Sequence, residues 1–358
     1  MKTKKKAYFD KKVSDIIAPF KNAGLFTHLY MSCSRLYNPV YSYSVLPKGK
    51  KFFDLASLTK ALVTSPLIFR EAMSLSSGLE TTIEEWLGEK SSCFSEEIRS
   101  FSLLSLLSHC SGLPAWRNLW VNRFQAEGDA LLVSKCDLIS RLNRESYQLN
   151  RPKLPIYSDL GFILLGLCLE IKNEKSLPEI FSSFCQSYLK TKDLEVFFPK
   201  QKANADTKYF IPTTFCPLRK RVLVAEVHDE NSFILGGETG HAGVFSSGPG
   251  VEIYLKSLLL SDLGQFLVEE NTKSLSLSSQ TLVGWMPGNL SFLSNFFFPR
   301  CVGHLGFTGT SFWFDKETQS HGVLLLNRVW SKRQAPEVKE LRGLLYTLMA
   351  EALRVDFG

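Results

Sequence analysis

The stretch "FFDLASLTKALVT", residues 52–64, places a serine and a lysine three residues apart where an apolar segment begins. On a helix, that spacing puts Ser57 and Lys60 on one face, close enough to share a proton. One interpretation is an ordinary helix start, with Ser57 near the N-cap and Lys60 in water. The other is a nucleophile in the first helical turn, with an amine one turn later. Ser-x-x-Lys is a short pattern, so the rest of the chain must decide between them.

Two further stretches carry groups suited to acyl transfer. "YSDLGFILLG", residues 157–166, presents Tyr157 and Asp159 just before an apolar helical segment. "GHLGFTGTSFWFD", residues 303–315, presents His304 and Gly306 on a predicted strand. Each has a structural alternative: Tyr157 as a core tyrosine, Asp159 as a cap of the helix that begins near Leu160, and His304 as filler of a sheet edge.

The order of these stretches resembles that of the serine β-lactamase and penicillin-binding protein superfamily. The motifs of that superfamily are Ser-x-x-Lys, Tyr/Ser-x-Asn and Lys/His-x-Gly. The resemblance is to its class C β-lactamase-like branch, which also includes esterases, D-Ala peptidases and muropeptide amidases. Stretches in the order expected of that branch run from residue 53 to residue 329: "FDLASLTK", "LLSHCSGLP", "YSDLGF", "VHDEN…LGG…GHAGVFSS" and "GHLGFTGTSFWFD…LLLNRV".

The resemblance implies a role for each site residue. Ser57 is the nucleophile, and Lys60 and Tyr157 act together as the base that removes its proton. Lys60 could serve as that base only if its pKa fell. The backbone N–H groups of Ser57 and Phe307 form the oxyanion hole, and Gly306 allows close approach of the substrate to the strand.

Two residues depart from the pattern of the superfamily. Asp159 stands where Asn is frequent, and its carboxylate would steady Lys60 but repel a substrate carboxylate. His304 stands where β-lactamases and D-Ala peptidases commonly have Lys, and a histidine is mostly neutral above its ordinary pKa of about 6.5. Both departures favour an ester or amide substrate that is not anchored by a carboxylate.

Three other histidine-bearing segments receive weaker assignments. We interpret His109 as fixing the loop after a helix, and His241 as part of a tight turn that leads into a strand. The segment with His228, Asp229 and Asn231 is a candidate for the rim of the site, because the branch carries a similar segment there.

The pattern of elements predicts an α+β fold, with an antiparallel sheet flanked by the N- and C-terminal helices and an all-helical subdomain inserted. We expect one β-lactamase-like domain, divided into an α/β subdomain (about 8–57 plus 208–358) and a helical subdomain (about 58–207). A basic tail covers residues 1–12, followed by a short helix that Gly24 ends. Other predictions are strands on both sides of a turn at Asn38-Pro39, a helix over 58–75 kinked at Pro66, helices between about 80 and 190, adjacent strands within 301–315 and 322–329, and a closing helix with Pro336 near its start.

Composition narrows the functional classes. At 44% hydrophobic residues, 358 residues can bury a large core. The net charge is +7, but six lysines and one aspartate in residues 1–12 supply +5 of it, which argues against a nucleic-acid-binding face. We expect a solvated tail there; the alternatives are weak contact of the tail with an anionic membrane or with nucleic acid. The sequence shows no transmembrane run and no signal-peptide apolar region, and its eight cysteines are scattered, so we expect a cytoplasmic protein with reduced thiols.

The sequence lacks the motifs of other hydrolase and metal-binding classes. The sequence has no G-x-S-x-G elbow, no H-E-x-x-H and no zinc-spaced cysteine and histidine set, so we expect no metal and no cofactor. We therefore expect a serine hydrolase that acts on a small ester, an amide or a muropeptide through a Ser57 acyl-enzyme. The alternatives are a β-lactamase or D-Ala-D-Ala carboxypeptidase, and, in another class, an inactive binding or sensor protein with the same fold.

Overall fold

The computed structural model describes residues 2–36, 38–49, 51–124, 130–144, 155–191, 195–202, 206–275, 283–288, 301–328 and 337–355. The strands are, in chain order, β1 (Leu29–Arg35), β2 (Asn38–Val45), β3 (Phe53–Asp54), β4 (Val196–Phe197), β5 (Phe215–Cys216), β6 (Arg221–Val222), β7 (Phe245–Ser246), β8 (Met286–Pro287), β9 (Val302–Leu305), β10 (Ser311–Asp315) and β11 (Ser320–Leu326). Six of them form one antiparallel sheet in the order β2-β1-β11-β10-β9-β8, so the two ends of the chain meet in its centre.

The described residues also form twelve α-helices. They are α1 (Lys2–Asn22), α2 (Ser65–Ala72), α3 (Ile83–Leu87), α4 (Glu96–Arg99), α5 (Leu103–Leu107), α6 (Lys135–Arg144), α7 (Asp159–Asn173), α8 (Leu177–Ser183), α9 (Glu230–Ile234), α10 (Gly248–Leu259), α11 (Asp262–Leu275) and α12 (Glu337–Arg354). The predicted class, an α+β fold with an antiparallel sheet, terminal helices and inserted helices, is confirmed. The subdomain boundaries stay a prediction.

Both faces of the sheet are covered, and alternate residues of a strand enter different cores. In β11, Leu324 and Leu326 pack with α1 and α12 on one face, whereas Val323 and Leu325 belong to the larger core on the other face. A strand with two buried faces reads as a continuous apolar run, as "GVLLL" does. The sheet therefore divides the molecule into a thin layer of terminal helices and a thick layer that carries the site.

Three predicted elements differ in their limits. The helix of the N-terminal region begins at Lys2, so it includes residues 2–12 of the basic tail as well as the predicted short helix; Lys6 and Asp10 pair across one of its turns. Asn38 and Pro39 lie inside β2 instead of forming the turn. Strand β2 is at the edge of the sheet, where a proline costs no ladder hydrogen bond.

The stretch 301–315 contains two strands, β9 and β10, joined by a tight turn at 306–310. Its glycines explain the turn, since Gly309 has a φ of 108°. The predicted antiparallel pairing of β10 with β11 across "DKETQS" is confirmed. Pro336 lies outside the described residues.

All eight cysteines are free thiols. None of the helices among the described residues is both long enough and apolar enough to cross a bilayer.

Candidate active site

Ser57 lies just after a sharp bend of the backbone that a buried carboxylate holds in place. Ala56, the residue before it, has a φ of 48°, in the left-handed region that residues other than glycine rarely adopt. Asp54 Oδ1 accepts the Ala56 N–H at 2.8 Å, and its Oδ2 accepts the His228 N–H at 2.6 Å. Burial raises the pKa of Asp54 to about 6, against the opposing effect of these two hydrogen bonds. Asp54 thus ties the nucleophile bend to the segment around His228.

The helical segment that carries Lys60 begins with a π-turn over Lys60–Thr64, and α2 follows it. Pro66 has no N–H, so the carbonyl four residues before it cannot be satisfied within the helix. Two aromatic side chains compensate: Tyr254 donates its hydroxyl to Leu62 O, and Trp285 Nε1 donates to Ala61 O at 3.2 Å. The irregularity predicted at Pro66 is therefore a wide helical turn, held from outside by the core.

The Lys60 ammonium is fully buried and lies between three oxygen atoms. Its Nζ is 3.1 Å from Ser57 Oγ, 3.3 Å from His241 O and 2.7 Å from Asp159 Oδ1. Burial alone would lower the pKa of Lys60, but its electrostatic and hydrogen-bond interactions with Asp159 and Tyr157 outweigh burial and raise this pKa above its ordinary value. Lys60 is therefore an ammonium in this site.

Asp159 is the first residue of α7, and Ser158 caps that helix by accepting the Gly161 N–H at 3.2 Å. The capping role considered for Asp159 therefore belongs to Ser158. The Asp159 side chain is 21% exposed, and it pairs with Lys60 from the positive end of the helix dipole. Its carboxylate is available both to the lysine and to the open side of the site.

The Tyr157 ring lies near two histidine rings and the Lys60 ammonium. Its ring centroid is 4.5 Å from that of His109 and 6.1 Å from that of His304, and Lys60 Nζ lies 5.1 Å from the Tyr157 ring centroid. His109 also accepts the Ser158 N–H at Nδ1 (3.0 Å), and its carbonyl accepts the Ile156 N–H (3.0 Å). The backbone on both sides of Tyr157 is therefore fixed by one residue.

His304 and His109 are both buried and neutral. Burial first, and the Lys60 charge second, lower the pKa of each to about 3. His304 Nδ1 lies 2.8 Å from Leu305 O, which makes Nδ1 the protonated nitrogen and leaves Nε2 as an acceptor. Position 304 therefore offers no cation to a substrate.

The turn at 306–310 is anchored to the backbone just before Ser57. Thr308 Oγ1 donates to Asp54 O at 2.7 Å, and Thr310 Oγ1 donates to Leu55 O at 3.0 Å. A Cβ at Gly306 would collide with Thr310 Oγ1 and Leu55 O, so the glycine allows this close packing, whatever its effect on substrate approach. Phe307, 40% exposed, follows it at the open edge of the turn.

The segment 226–231 reaches the rim, as considered from its resemblance. The His228 ring centroid is 5.4 Å from that of Phe307. Asp229 Oδ1 lies 2.9 Å from His241 Nε2, so His241 is held by a carboxylate while its carbonyl faces Lys60. The fully buried Arg219 donates to Val227 O and His228 O, which supports the segment from below.

The sequence analysis did not predict the roles of Asp54, Arg219, Thr308 and Thr310 in this site, or the positioning contacts of His109 and His241. Asp54 left a usable signal, because a carboxylate inside the apolar run "FFDLA" must be buried and therefore needs partners. For Arg219 the sequence carries no comparable signal.

Comparison with known proteins shows the family to which the chain belongs. The Beta-lactamase family model matches residues 40–346, so the chain belongs to the β-lactamase family of serine hydrolases. A Salmonella agona protein provisionally named a D-alanyl-D-alanine carboxypeptidase is 23% identical, over 83% of this chain and 74% of its own length. The N-acetylmuramyl-L-alanine amidase of Bacillus subtilis (strain 168) is 25% identical, over 78% of this chain and 69% of its own.

Among solved structures, a class C β-lactamase from Rhodobacter sphaeroides superposes with a TM-score of 0.65 at 16% identity. The match covers 93% of this chain and 98% of that structure. At this identity the match shows a common fold.

Proposed function

We propose that this protein hydrolyses an ester or amide through an acyl-enzyme on Ser57. The observation that carries the proposal is the fully buried Lys60 ammonium, 3.1 Å from Ser57 Oγ and held by Asp159. A buried cation lowers the stability of the folded protein. Such a cation beside a partly exposed serine that follows a sharp backbone bend is expected where a nucleophile must be activated.

In this proposal Tyr157 receives the proton. Lys60 keeps a raised pKa, so it does not supply the free amine that a lysine base requires. Its ammonium would instead stabilise a phenolate on Tyr157. Ser57 Oγ attacks the carbonyl carbon, Tyr157 takes the hydroxyl proton and passes it to the leaving alcohol or amine, and water then releases the acyl group by the reverse sequence.

The oxyanion would lie between the backbone N–H groups of Ser57 and Phe307. The threonine anchors at 308 and 310 support this assignment, because they fix the turn that bears Phe307 against the backbone leading to Ser57. Preorganised donors of this kind contribute about 3 kcal/mol each to the transition state.

The charges of the site favour a substrate without a carboxylate near position 304. His304 is neutral, and the partly exposed Asp159 carboxylate would repel an anion. A small ester or a muropeptide amide fits these charges. The test is turnover by wild type and Ser57→Ala of a neutral p-nitrophenyl ester, a muramyl-L-alanine amide, a D-Ala-D-Ala peptide and a penicillin. We expect Ser57-dependent turnover of the ester or the amide; no Ser57-dependent turnover of either would overturn the proposal.

The second candidate is a D-Ala-D-Ala carboxypeptidase or β-lactamase, which the names of the relatives favour. Asp159→Asn restores the amide frequent in this superfamily and removes the repelling charge. If that candidate were correct, wild type would already turn over the D-Ala-D-Ala peptide or the penicillin faster than the neutral ester. Under our proposal the ester is preferred, and Asp159→Asn raises the rate on the two carboxylate substrates relative to the ester, by about tenfold for 1.4 kcal/mol of repulsion relieved.

An inactive binding or sensor protein is the candidate from another class. It predicts binding of a wall fragment without a covalent adduct at Ser57. The close approach of Lys60 to Ser57 supports the enzyme instead.

A further inference from the structure

Arg342 is a buried cation for which the described part of the chain provides no hydrogen-bond or ion-pair partner. This residue of α12 is 9% exposed, and its Nε is buried with no hydrogen-bond partner. Across the ranges that the structure describes, no aspartate or glutamate forms an ion pair with it, and residues 329–336, "VWSKRQAP", which precede α12 in the sequence, include no acidic residue. A buried guanidinium with no counter-charge destabilises the folded protein unless an anion binds beside it.

Arg328 brings a second guanidinium to the same end of the sheet. It follows β11, its Nε donates to Phe307 O, and its guanidinium carbon lies 4.6 Å from the centroid of the Phe307 ring. Its backbone N–H donates to Thr308 O at 2.9 Å. Arg328 therefore contacts the turn that we assign to the oxyanion hole, and it too has no carboxylate partner among the residues described.

The fold places both arginines at the same end of the sheet. Tyr346 lies four residues after Arg342 on α12, and its hydroxyl is 2.9 Å from Ser311 Oγ at the start of β10. One helical turn earlier, Arg342 is nearer the end of β11 from which Arg328 extends. The two charges also interact. Burial first, and the charge of Arg342 second, lower the pKa of Arg328 to about 10. Two positive charges that interact in this way repel each other unless an anion lies near both.

We propose that Arg328 and Arg342 form a binding site for a small oxyanion, a carboxylate or a phosphate, beside the turn at 306–310. A planar or tetrahedral oxyanion matches the fork of N–H donors of a guanidinium and can bridge two of them. Through Arg328, the bound anion acts on the position of Phe307. The site does not depend on the proposed hydrolysis, because its anion need not be the group that reacts.

The first test is thermal unfolding in chloride and in phosphate at equal ionic strength. A ligand that binds only the folded protein raises its Tm. We expect phosphate to raise the Tm of wild type by about 2 °C or more relative to chloride. Arg342→Met, which keeps the length of the side chain without its charge, should lose this rise and be at least as stable as wild type in chloride.

Arg35→Met is the matched control, since it removes one positive charge at the opposite end of the same sheet, where Arg35 donates to Leu353 O. It should keep the full phosphate response. Should Arg342→Met fail to fold, Arg328→Met replaces it in the same comparison. An equal response in all the variants, or none in wild type, would refute the site.

A second test distinguishes the two sources of the anion. If the site takes a carboxylate of the substrate, Arg342→Met should raise the KM of p-nitrophenyl hemisuccinate about tenfold and leave that of p-nitrophenyl acetate unchanged, and phosphate should compete. If it takes a free anion, phosphate should change kcat for the acetate ester in wild type and not in Arg342→Met. If the protein hydrolyses neither ester but phosphate still raises its Tm, the proposed function is refuted and the anion site is not.

Discussion

His109 touches the segment around Tyr157 at three points. Its ring packs on the Tyr157 ring, its Nδ1 accepts the Ser158 N–H and its carbonyl accepts the Ile156 N–H. The backbone of His109 is left-handed, with a φ of 60°. We therefore regard it as a positioning residue for Tyr157, in addition to its expected role in fixing a loop.

This role predicts different results for two substitutions. His109→Ala removes the acceptor and the ring, so kcat should fall about tenfold, for a lost hydrogen bond of about 1.4 kcal/mol, with KM nearly unchanged. His109→Asn keeps an acceptor oxygen and tolerates the left-handed backbone, and it should recover most of kcat. Kinetics of the three proteins on one ester provide the measurement. Equal kcat in all three, with only Tm lowered in the variants, would show a purely structural histidine.

At the scale of single residues, sequence motifs predicted Ser57, Lys60, Tyr157, Asp159 and His304, and the structure brings these side chains together. The raised pKa of Lys60 did not follow from its motif. It depends on a carboxylate 99 positions later in the chain, and only the fold sets the distance between the two. The contacts of Asp54 with His228 are hidden from sequence for the same reason.

Among the elements, the turn at 306–310 and the bend at Ser57 form one unit. Two threonine hydroxyls join the turn to backbone carbonyls at 54 and 55, and Asp54 joins that backbone to the rim. Donors on both sides of a reacting carbonyl are useful only if their separation is fixed.

Replacing one anchor should loosen this separation. In Thr308→Val the hydroxyl is lost at nearly constant volume, and we expect kcat to fall by a factor of about 5–10 for a hydrogen bond of about 1 kcal/mol. Thr318→Val is the matched control, because Thr318 donates to Asp315 Oδ2 in the turn at the far end of the same strands. It should lower stability slightly and leave kcat unchanged. Similar losses of kcat in both variants would contradict the anchoring role.

Sequence patterns predicted the existence of these elements better than their limits. Apolar alternation identified the strands near both ends of the chain, but the split of 301–315 into β9 and β10 depends on the left-handed Gly309. The π-turn at Lys60–Thr64 depends on Tyr254 and Trp285, which lie far away in sequence. Tertiary contacts of this kind override local propensity.

For the whole molecule, the two buried neutral histidines connect stability with pH. The pKa of His304 and of His109 is lowered to about 3 in the folded protein, whereas it is about 6.5 in an unfolded chain. Below pH 6.5 these histidines bind protons in the unfolded chain, whereas in the folded protein they stay neutral until the pH approaches 3. The stability that each neutral histidine contributes is therefore complete above pH 6.5 and is lost as the pH falls toward 3.

Below pH 6.5, each histidine should lower the free energy of unfolding by about 1.4 kcal/mol for each unit by which the pH falls. Urea unfolding of wild type and His304→Gln at pH 7.5 and 5.5 measures this slope. We expect wild type to lose about 1 kcal/mol more than the variant between these two pH values. If the two proteins lose the same free energy of unfolding, His304 is not the buried neutral group described.

Acylation of Ser57 is the step on which the proposed function depends. Its most direct test is intact-protein mass spectrometry of wild type and Ser57→Ala after incubation with a fluorophosphonate, a penicillin and an activated ester, with folding of both proteins checked by circular dichroism. We predict a single adduct on wild type with the fluorophosphonate, or an acyl adduct with the ester, and none on Ser57→Ala. Folded wild type that remains unlabelled by all three reagents, or an adduct that persists in Ser57→Ala, would contradict this account.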